Sequence, residues 1–271
     1  MKHIVFILVL LPFAGRSQQE NEAERIKRQE KIIETYFKNG AQKFSYTSRQ
    51  WQEWIDKGLA EDSTIAYLWQ QKAMPYWKLR KYEIAHKYFS NAVKYDRKTY
   101  LSRGIFLKCI FSKSYSEVIG DYRKYIAEFK RTSYENDHSL EFYVALAYLG
   151  LNEYQSAFSV LKSSIDRVEK ENGKDFVHFL DRFYLGIIYR ELNEYRLAIE
   201  QFDICLAKYS NLSDAKYWKG LCLINMGERE KGYQLMKEGK LDKQKGYTIN
   251  EDASWYELFP YQITWEWAGV E

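Results

Sequence analysis

Few residues in this 271-residue chain are of types that do chemistry: four histidines (His3, His86, His138, His178) and three cysteines (Cys109, Cys205, Cys222). One cluster has a spacing that chemistry uses. In DFVHFLD, Asp175, His178 and Asp181 recur at i, i+3 and i+6, which on one helix brings an imidazole and two carboxylates near a common face. Such a donor set suits a divalent metal. Acidic residues at a helix start also complement the helix macrodipole, and a solvated helix end is the reading adopted. His86 follows Ala85 and is expected on a helix surface, while His138 stands in the loop YENDHS. No HExxH, GxSxG, glycine-rich phosphate loop or GxGxxG occurs. The cysteines form no CxxC and lie in apolar helical stretches, where a free thiol acts as a small hydrophobe. Cys205 and Cys222, on adjacent expected helices, are the pair that an oxidising compartment would join. The expectation is therefore no enzyme, no catalytic residues, no cofactor and no metal.

The elements that would position side chains are helical. Hydrophobic residues make up 46% of the chain and charged residues 29%, with three prolines and 14 glycines, which suits packed helices and not a loop-rich β protein. The formal charge is +4, but it is unevenly spread. Residues 72–131 carry 15 Lys/Arg against 5 Asp/Glu, and residues 132–271 carry 16 against 23. The basic section reads as solvated helix faces, or as a surface that steers an acidic partner.

MKHIVFILVLLPFAGRS begins with Lys2, runs apolar from Ile4 to Phe13 and ends in small residues. The apolar run is too short for a span, which needs roughly 20 residues. Residues 1–17 are therefore expected to be a cleaved signal peptide, with the cut before Gln18 and no cysteine there for a lipid anchor. That cut resembles signal peptides of Gram-negative Bacteroidetes. The expected location is the periplasm, with secretion as the alternative.

The middle of the chain repeats. Anchored on Ala198, the preceding slots hold Gly186, Tyr189 and Tyr195, and the following ones Phe202 and Cys205. Anchored on Ala85, the same slots hold Ala73, Tyr76, Tyr82, Phe89 and Ala92; anchored on Ala157, they hold Ala145, Tyr148, Tyr154, Leu161 and Ser164. Weaker copies anchor on Gly232 and on Val118, the latter with Arg103-Gly104 two residues too far upstream, so its inter-helix loop is expected to be longer. The anchors stand 33, 39, 41 and 34 residues apart. Each unit reads as two helices joined by a short polar turn such as ELNE. Small residues let the backbones approach, and aromatics fill the gaps. One such pair cannot bury its apolar stripe alone, so copies must stack.

These slots resemble the tetratricopeptide repeat, with Trp69 in the tryptophan slot of the first clear copy and Leu185-Gly186 in the Leu-Gly slot of the fourth. The terminal proline slot holds Arg97 and Ser210 instead. The stretch from Trp69 to Tyr115 also looks like exported Bacteroidetes tetratricopeptide proteins of unassigned function. The resemblance implies an all-α, right-handed α-solenoid of antiparallel helix pairs. It also implies that the first helix of each pair lines a concave groove. Its groove slots would be Gln70, Leu101, Phe142, Phe183 and Tyr217; then Met74, Ile105, Leu146, Ile187 and Leu221; then Trp77, Lys108, Leu149, Arg190 and Ile224. Family members that hold a C-terminal carboxylate do so with Lys and Asn at these slots. The second set here is wholly aliphatic, which disfavours that clamp and favours an apolar or aromatic peptide, or a self-filled groove.

The expected organisation is a signal peptide (1–17), a degenerate N-terminal helical repeat (18–62), five repeats (63–97, 98–131, 138–170, 179–211, 213–246) and an aromatic tail (247–271). The polar inserts at 131–139 and 168–178 are expected to extend loops or helix ends. The tail, with Pro260 and three tryptophans, breaks the repeat and is expected to cap the last helices or to fill the groove. Three functions fit: a periplasmic scaffold binding another protein or peptide segment through the groove or an outer helix face, a glycan or peptidoglycan binder using exposed aromatics, or an accessory subunit of an envelope assembly. Nucleic acid is not an expected partner, since the basic excess is confined to one section.

Overall fold

A computed structural model describes residues 21–270. The expected signal peptide and His3 lie outside the described residues. The described residues divide into two compact units, 21–63 and 64–270.

In the first unit, α1 (Glu22–Ile32) opens on a capping box between Asn21 and Glu24 and continues through a π-helical turn, Ile33–Lys38. A short 3₁₀ turn, Ala41–Lys43, leads to α2 (Arg49–Glu61), whose N-cap is Ser48. Phe37 meets Trp51 edge-on at 5.4 Å, and Ile55 is fully buried.

The second unit is built from five antiparallel pairs: α3 (Ala66–Lys78) with α4 (Tyr82–Tyr95), α5 (Arg97–Leu107) with α6 (Tyr115–Phe129), α7 (Leu140–Gly150) with α8 (Tyr154–Asn172), α9 (Phe179–Glu191) with α10 (Tyr195–Lys208), and α11 (Ser213–Asn225) with α12 (Arg229–Gln244). Each pair packs on the next, and α5, α7, α9 and α11 also touch in sequence, so first helices share one continuous face. This is an all-α solenoid.

The repeat slots have a direct steric cause. A Cβ placed on Gly186 would lie 2.7 Å from the Phe202 ring, and one on Gly220 would lie 2.7 Å from the Gly232 carbonyl oxygen. The equivalent alanines Ala73, Ala85, Ala145 and Ala157 are fully buried. The turns between helices also share a plan. Asn152, Asn193 and Gly227 take left-handed φ of 60°, 63° and 91°, residue types that tolerate it. The next residue donates its N–H back to the tyrosine or leucine slot: Glu153 to Tyr148, Glu194 to Tyr189 and Glu228 to Leu223, at 2.8–2.9 Å. Arg80 occupies the same turn position at φ 59°.

Where the second repeat was expected to have a longer loop, the helix itself absorbs the extra residues. After α5 the chain winds into a π-helical turn, Lys108–Ser112, and Lys113 reverses it at φ 54°. The insert at 131–139 forms a hairpin, not a plain loop: β1 (Tyr134–Glu135) pairs antiparallel with β2 (His138–Ser139) across Asn136 and Asp137, both left-handed. Ser139 then caps α7. The second insert lengthens α8 and ends in a 3₁₀ turn, Lys174–Phe176. The cysteines are buried free thiols.

Candidate functional site

The candidate site is the face shared by the first helices, together with the aromatic tail that lies on it. Gly246, at φ 90°, ends the last turn, and the chain then runs back over the array without regular strands. Two limbs can be followed. The outgoing limb begins at α11, where the Ser213 N–H donates to the Tyr247 carbonyl at 3.1 Å. It reaches α3 and α4, where Arg80 donates to the Tyr256 carbonyl at 2.8 Å and pairs with Glu257 at 2.9 Å. Tyr82 donates to the same Glu257 carboxylate. Lys113 donates to the Leu258 carbonyl at 2.6 Å, and Lys78 stands 4.8 Å from the Tyr256 ring. The chain then turns. Tyr184 donates to the Pro260 carbonyl at 2.7 Å, and the Trp218 indole donates to the Tyr261 carbonyl at 2.8 Å. The returning limb packs Trp265 against Tyr217 and Met236 on the last pair. The tail therefore both fills the face and caps the array.

Asp214 ties the two limbs together. Its fully buried carboxylate accepts from Thr248 Oγ1 (2.7 Å) and Ile249 N (3.1 Å) on the outgoing limb, and from Ile263 N (2.8 Å) on the returning one. The electrostatics match. Residues 247–271 hold five acidic residues and no Lys or Arg; of the basic section, Arg80 pairs with Glu257, while Lys113 donates to the Leu258 carbonyl and Lys78 stands by the Tyr256 ring.

The expected groove residues take several positions. Leu101, Ile105, Phe142, Leu146, Leu149, Phe183 and Ile187 are buried at no more than 3% exposure. Trp77 is fully buried and turns toward α4, with its ring 4.7 Å from His86. Lys108 binds Asp121 and Glu117 at 2.8 and 2.7 Å. Arg190 pairs with Glu191 and lies over the Trp218 ring at 4.6 Å. Tyr217, Leu221 and Ile224 pack beneath Trp265 and Val270. Gln70 and Met74 line a recess of about 320 Å³ closed on one side by Asp252, Ala253 and Tyr256.

The residues that address the tail most directly are others. Tyr184 and Trp218, which donate to tail carbonyls, both stand two positions before the glycine slot and 34 residues apart, a repeat spacing; Tyr143, at the equivalent position 41 residues earlier, lines a cavity with the tail but donates to the Glu135 carbonyl. That recurrence was a usable signal. Asp214 had none, because no other repeat carries an acid at its slot.

The Asp175–His178–Asp181 set does not assemble as one helix face. Helix α9 begins only after His178, Asp175 lies exposed in the preceding 3₁₀ turn, and the His178 Nδ1 accepts the Leu180 N–H as an N-cap at 3.3 Å. Burial pushes the His178 imidazole down to about 4, with His138 adding to the effect, and burial pushes the Asp181 carboxyl up to about 6. A different constellation forms. The His138 and His178 rings meet edge-on at 4.6 Å, and His138 Nε2 stands 3.6 Å from Glu251 Oε1 of the tail. Donor atoms of these three residues lie within 4.8 Å of one another. His138 stacks on Phe142 at 4.0 Å, and His86, expected at a helix surface, is half-buried against Trp77. Among the described residues no helix is long and apolar enough to cross a membrane.

Comparison with known proteins matches this architecture. A tetratricopeptide repeat family model matches residues 182–211. No curated protein matches the sequence. Among solved structures, the chain is similar to PilW, a widely conserved type IV pilus biogenesis factor, at 16% identity and TM-score 0.59, covering 84% of this chain and 96% of that one. It is similar to a tetratricopeptide repeat protein from Parabacteroides merdae at 13% identity and TM-score 0.58, over 83% and 95%. It is also similar to YrrB, a tetratricopeptide protein with an unusual peptide-binding site, at 16% identity and TM-score 0.50, over 70% and 92%. Residues 182–211 are a tetratricopeptide repeat, and the helix pairs stacked around them have the fold of tetratricopeptide repeat proteins.

Proposed function

We propose that the protein is an exported, periplasmic protein–protein interaction scaffold whose first-helix face holds an extended chain segment, and that its own residues 247–270 occupy that face until a partner segment displaces them. The observation that carries this is what the face touches. Tyr184, Trp218, Arg80 and Lys113 donate to main-chain carbonyls, and Asp214 accepts main-chain N–H groups. Contacts of this kind hold an extended segment of varied sequence, while side-chain recesses add selectivity. The recess beside Met74 and the cations Lys78, Arg80 and Lys113 favour a partner segment that is acidic and aromatic, as the tail is. The fold supports a scaffold role in general terms, since tetratricopeptide proteins bind peptides or proteins. The periplasmic location rests on the leader-like N-terminal sequence. A glycan platform would need Trp255, Trp265 and Trp267 in an exposed row. Trp255 is 85% exposed, but Trp265 is buried on the last helix pair.

The test uses an intact fold. A protease site placed at Lys245-Gly246 allows the folded chain to be nicked. If the face holds the segment by its main chain, the nicked tail stays bound, exchanges with a labelled peptide of residues 247–266, and is displaced by a partner segment captured from the native envelope. A nicked tail that dissociates at once and does not rebind would overturn the reading.

A further inference from the structure

We propose that His138, His178 and Glu251 form a binding site for one divalent transition-metal ion of the zinc type, which staples the tail to the array. Two imidazoles and a carboxylate make a borderline donor set suited to zinc, leaving a fourth position for water. Three separate elements supply them: the hairpin before α7, the N-cap of α9, and the outgoing limb of the tail.

Two observations point to a ligand here. First, the donor atoms already converge within 4.8 Å, and the His138–Glu251 pair stands at 3.6 Å. Tetrahedral zinc with bonds of about 2.0–2.2 Å needs donors roughly 3.3–3.6 Å apart, so the set requires a contraction of about 1 Å and no refolding. Second, His138 is only 2% exposed, yet neither ring nitrogen has a partner within hydrogen-bond distance, Glu251 Oε1 standing 3.6 Å from Nε2. A buried imidazole without partners is costly, and a metal at Nε2 would meet that need. A metal at His178 Nε2 requires the ring proton on Nδ1, so binding there gives up the 3.3 Å cap that Nδ1 now accepts from the Leu180 N–H. A polar cavity of about 240 Å³, lined by Asn136, Asp137, Asn250, Glu251 and Asp252, opens onto Glu251 and gives an ion a route in.

The consequence is linkage. Glu251 belongs to the tail and the histidines to the array, so an ion bound by all three binds only the closed tail. At a free metal concentration of 100 times Kd, opening of the outgoing limb is suppressed about 100-fold. The site thereby makes availability of the face depend on metal.

The purified, untagged full chain is titrated with Zn²⁺ by calorimetry and with Co²⁺ by visible absorption, beside Glu251→Gln and His178→Asn. The first variant keeps the side chain's shape, and the second keeps an N-cap acceptor. Amide hydrogen exchange of residues 247–258 is followed with and without Zn²⁺. The expected result is one equivalent bound, Co²⁺ ligand-field bands typical of low coordination, at least a tenfold weakening in each variant, and Zn²⁺-dependent protection of the outgoing limb that Glu251→Gln abolishes. Absence of stoichiometric binding by the wild-type chain, or equal binding by both variants, overturns the site. Binding that leaves exchange of residues 247–258 unchanged overturns the staple. Circular dichroism of each variant excludes loss of fold as the cause.

Discussion

Asp214→Asn is the substitution that most sharply separates the tail from the array beneath it. The carboxylate serves the outgoing limb with Oδ2, through Thr248 Oγ1 and Ile249 N, and the returning limb with Oδ1, through Ile263 N. An amide of the same shape has one acceptor oxygen, so it can serve one limb only and turns an NH₂ group toward the donors of the other. Hydrogen bonds to a charged group contribute about 1.5–3 kcal/mol each. If the amide keeps the Thr248 and Ile249 bonds, the Ile263 bond is lost, for about 1.5–3 kcal/mol. If it keeps Ile263, the Thr248 and Ile249 bonds are lost, for about 3–6 kcal/mol, together with the longer one from Ser213 Oγ. The amide adopts the cheaper arrangement, so the returning limb loosens by about 1.5–3 kcal/mol, which is roughly 10–150-fold in the opening equilibrium. The stacked pairs do not depend on this residue in the same way, because their packing runs through slots such as Gly186 and Phe202. Hydrogen exchange with peptide-level resolution reads both at once. Residues 260–266 are expected to exchange 10–150-fold faster in Asp214→Asn, with α9 and α10 unchanged. Exchange of the returning limb within threefold of wild type, or an equal acceleration through α9 and α10, would refute the reasoning.

Gly186→Ala forces a Cβ to 2.7 Å from the Phe202 ring and is expected to cost about 1–3 kcal/mol, lowering Tm by roughly 2–4 °C per kcal/mol in calorimetry. Gly120→Ala, in α6 with open space around the new methyl, is expected to raise Tm instead, so equal effects at the two sites would contradict the repeat packing. Burial pushes the Cys109 and Cys205 thiols up to about 12 and Cys222 up to about 11, so native protein is expected to resist alkylation at pH 8. All three should react after denaturation without reductant, and a mass deficit of two hydrogens would instead reveal a disulfide. His86 is held below its usual 6.5 by burial first and by Lys108 second, with Glu117 and Asp121 partly opposing. The unfolded chain therefore takes up that proton at higher pH than the folded one, and stability is expected to fall as pH drops through 6.5. His86→Gln should flatten that part of a urea-midpoint profile; an unchanged slope would count against it.

The helix pairs were legible in the sequence because close backbone approach admits only small residues. Gly186, Ala198, Gly220 and Gly232 mark those contacts wherever they occur. Features that depend on how many residues a helix can absorb were not legible. Two extra residues upstream of the Val118 anchor read as a longer loop, whereas they wind into the π turn at Lys108–Ser112, a choice set by packing and not by composition. The groove slots carried over from the repeat pattern lie on the first helices, and several of their side chains turn into the core. Trp77, for example, fills space between α3 and α4. Two residues that donate to the tail, Tyr184 and Trp218, lie two positions before the glycine slots Gly186 and Gly220, and that recurrence could have been read. The histidine constellation could not. His138 reaches His178 only because the 131–139 insert forms a two-residue hairpin, and Glu251 joins them only because the tail doubles back. A local spacing such as DFVHFLD instead drew attention to Asp175 and Asp181, which helix α9 separates from any shared face.

The central claim is that the tail lies on the first-helix face, and a photo-crosslink measures it most directly. The Trp218 ring stands 5.5 Å from the Tyr261 ring. With p-benzoylphenylalanine in place of Trp218 in the full chain, irradiation of the dilute protein followed by peptide mapping is predicted to give an intramolecular adduct within residues 259–263. A bound partner segment is predicted to replace that adduct with an intermolecular one. Adducts confined to other parts of the array, or formed only between chains in the absence of any partner, would contradict the account.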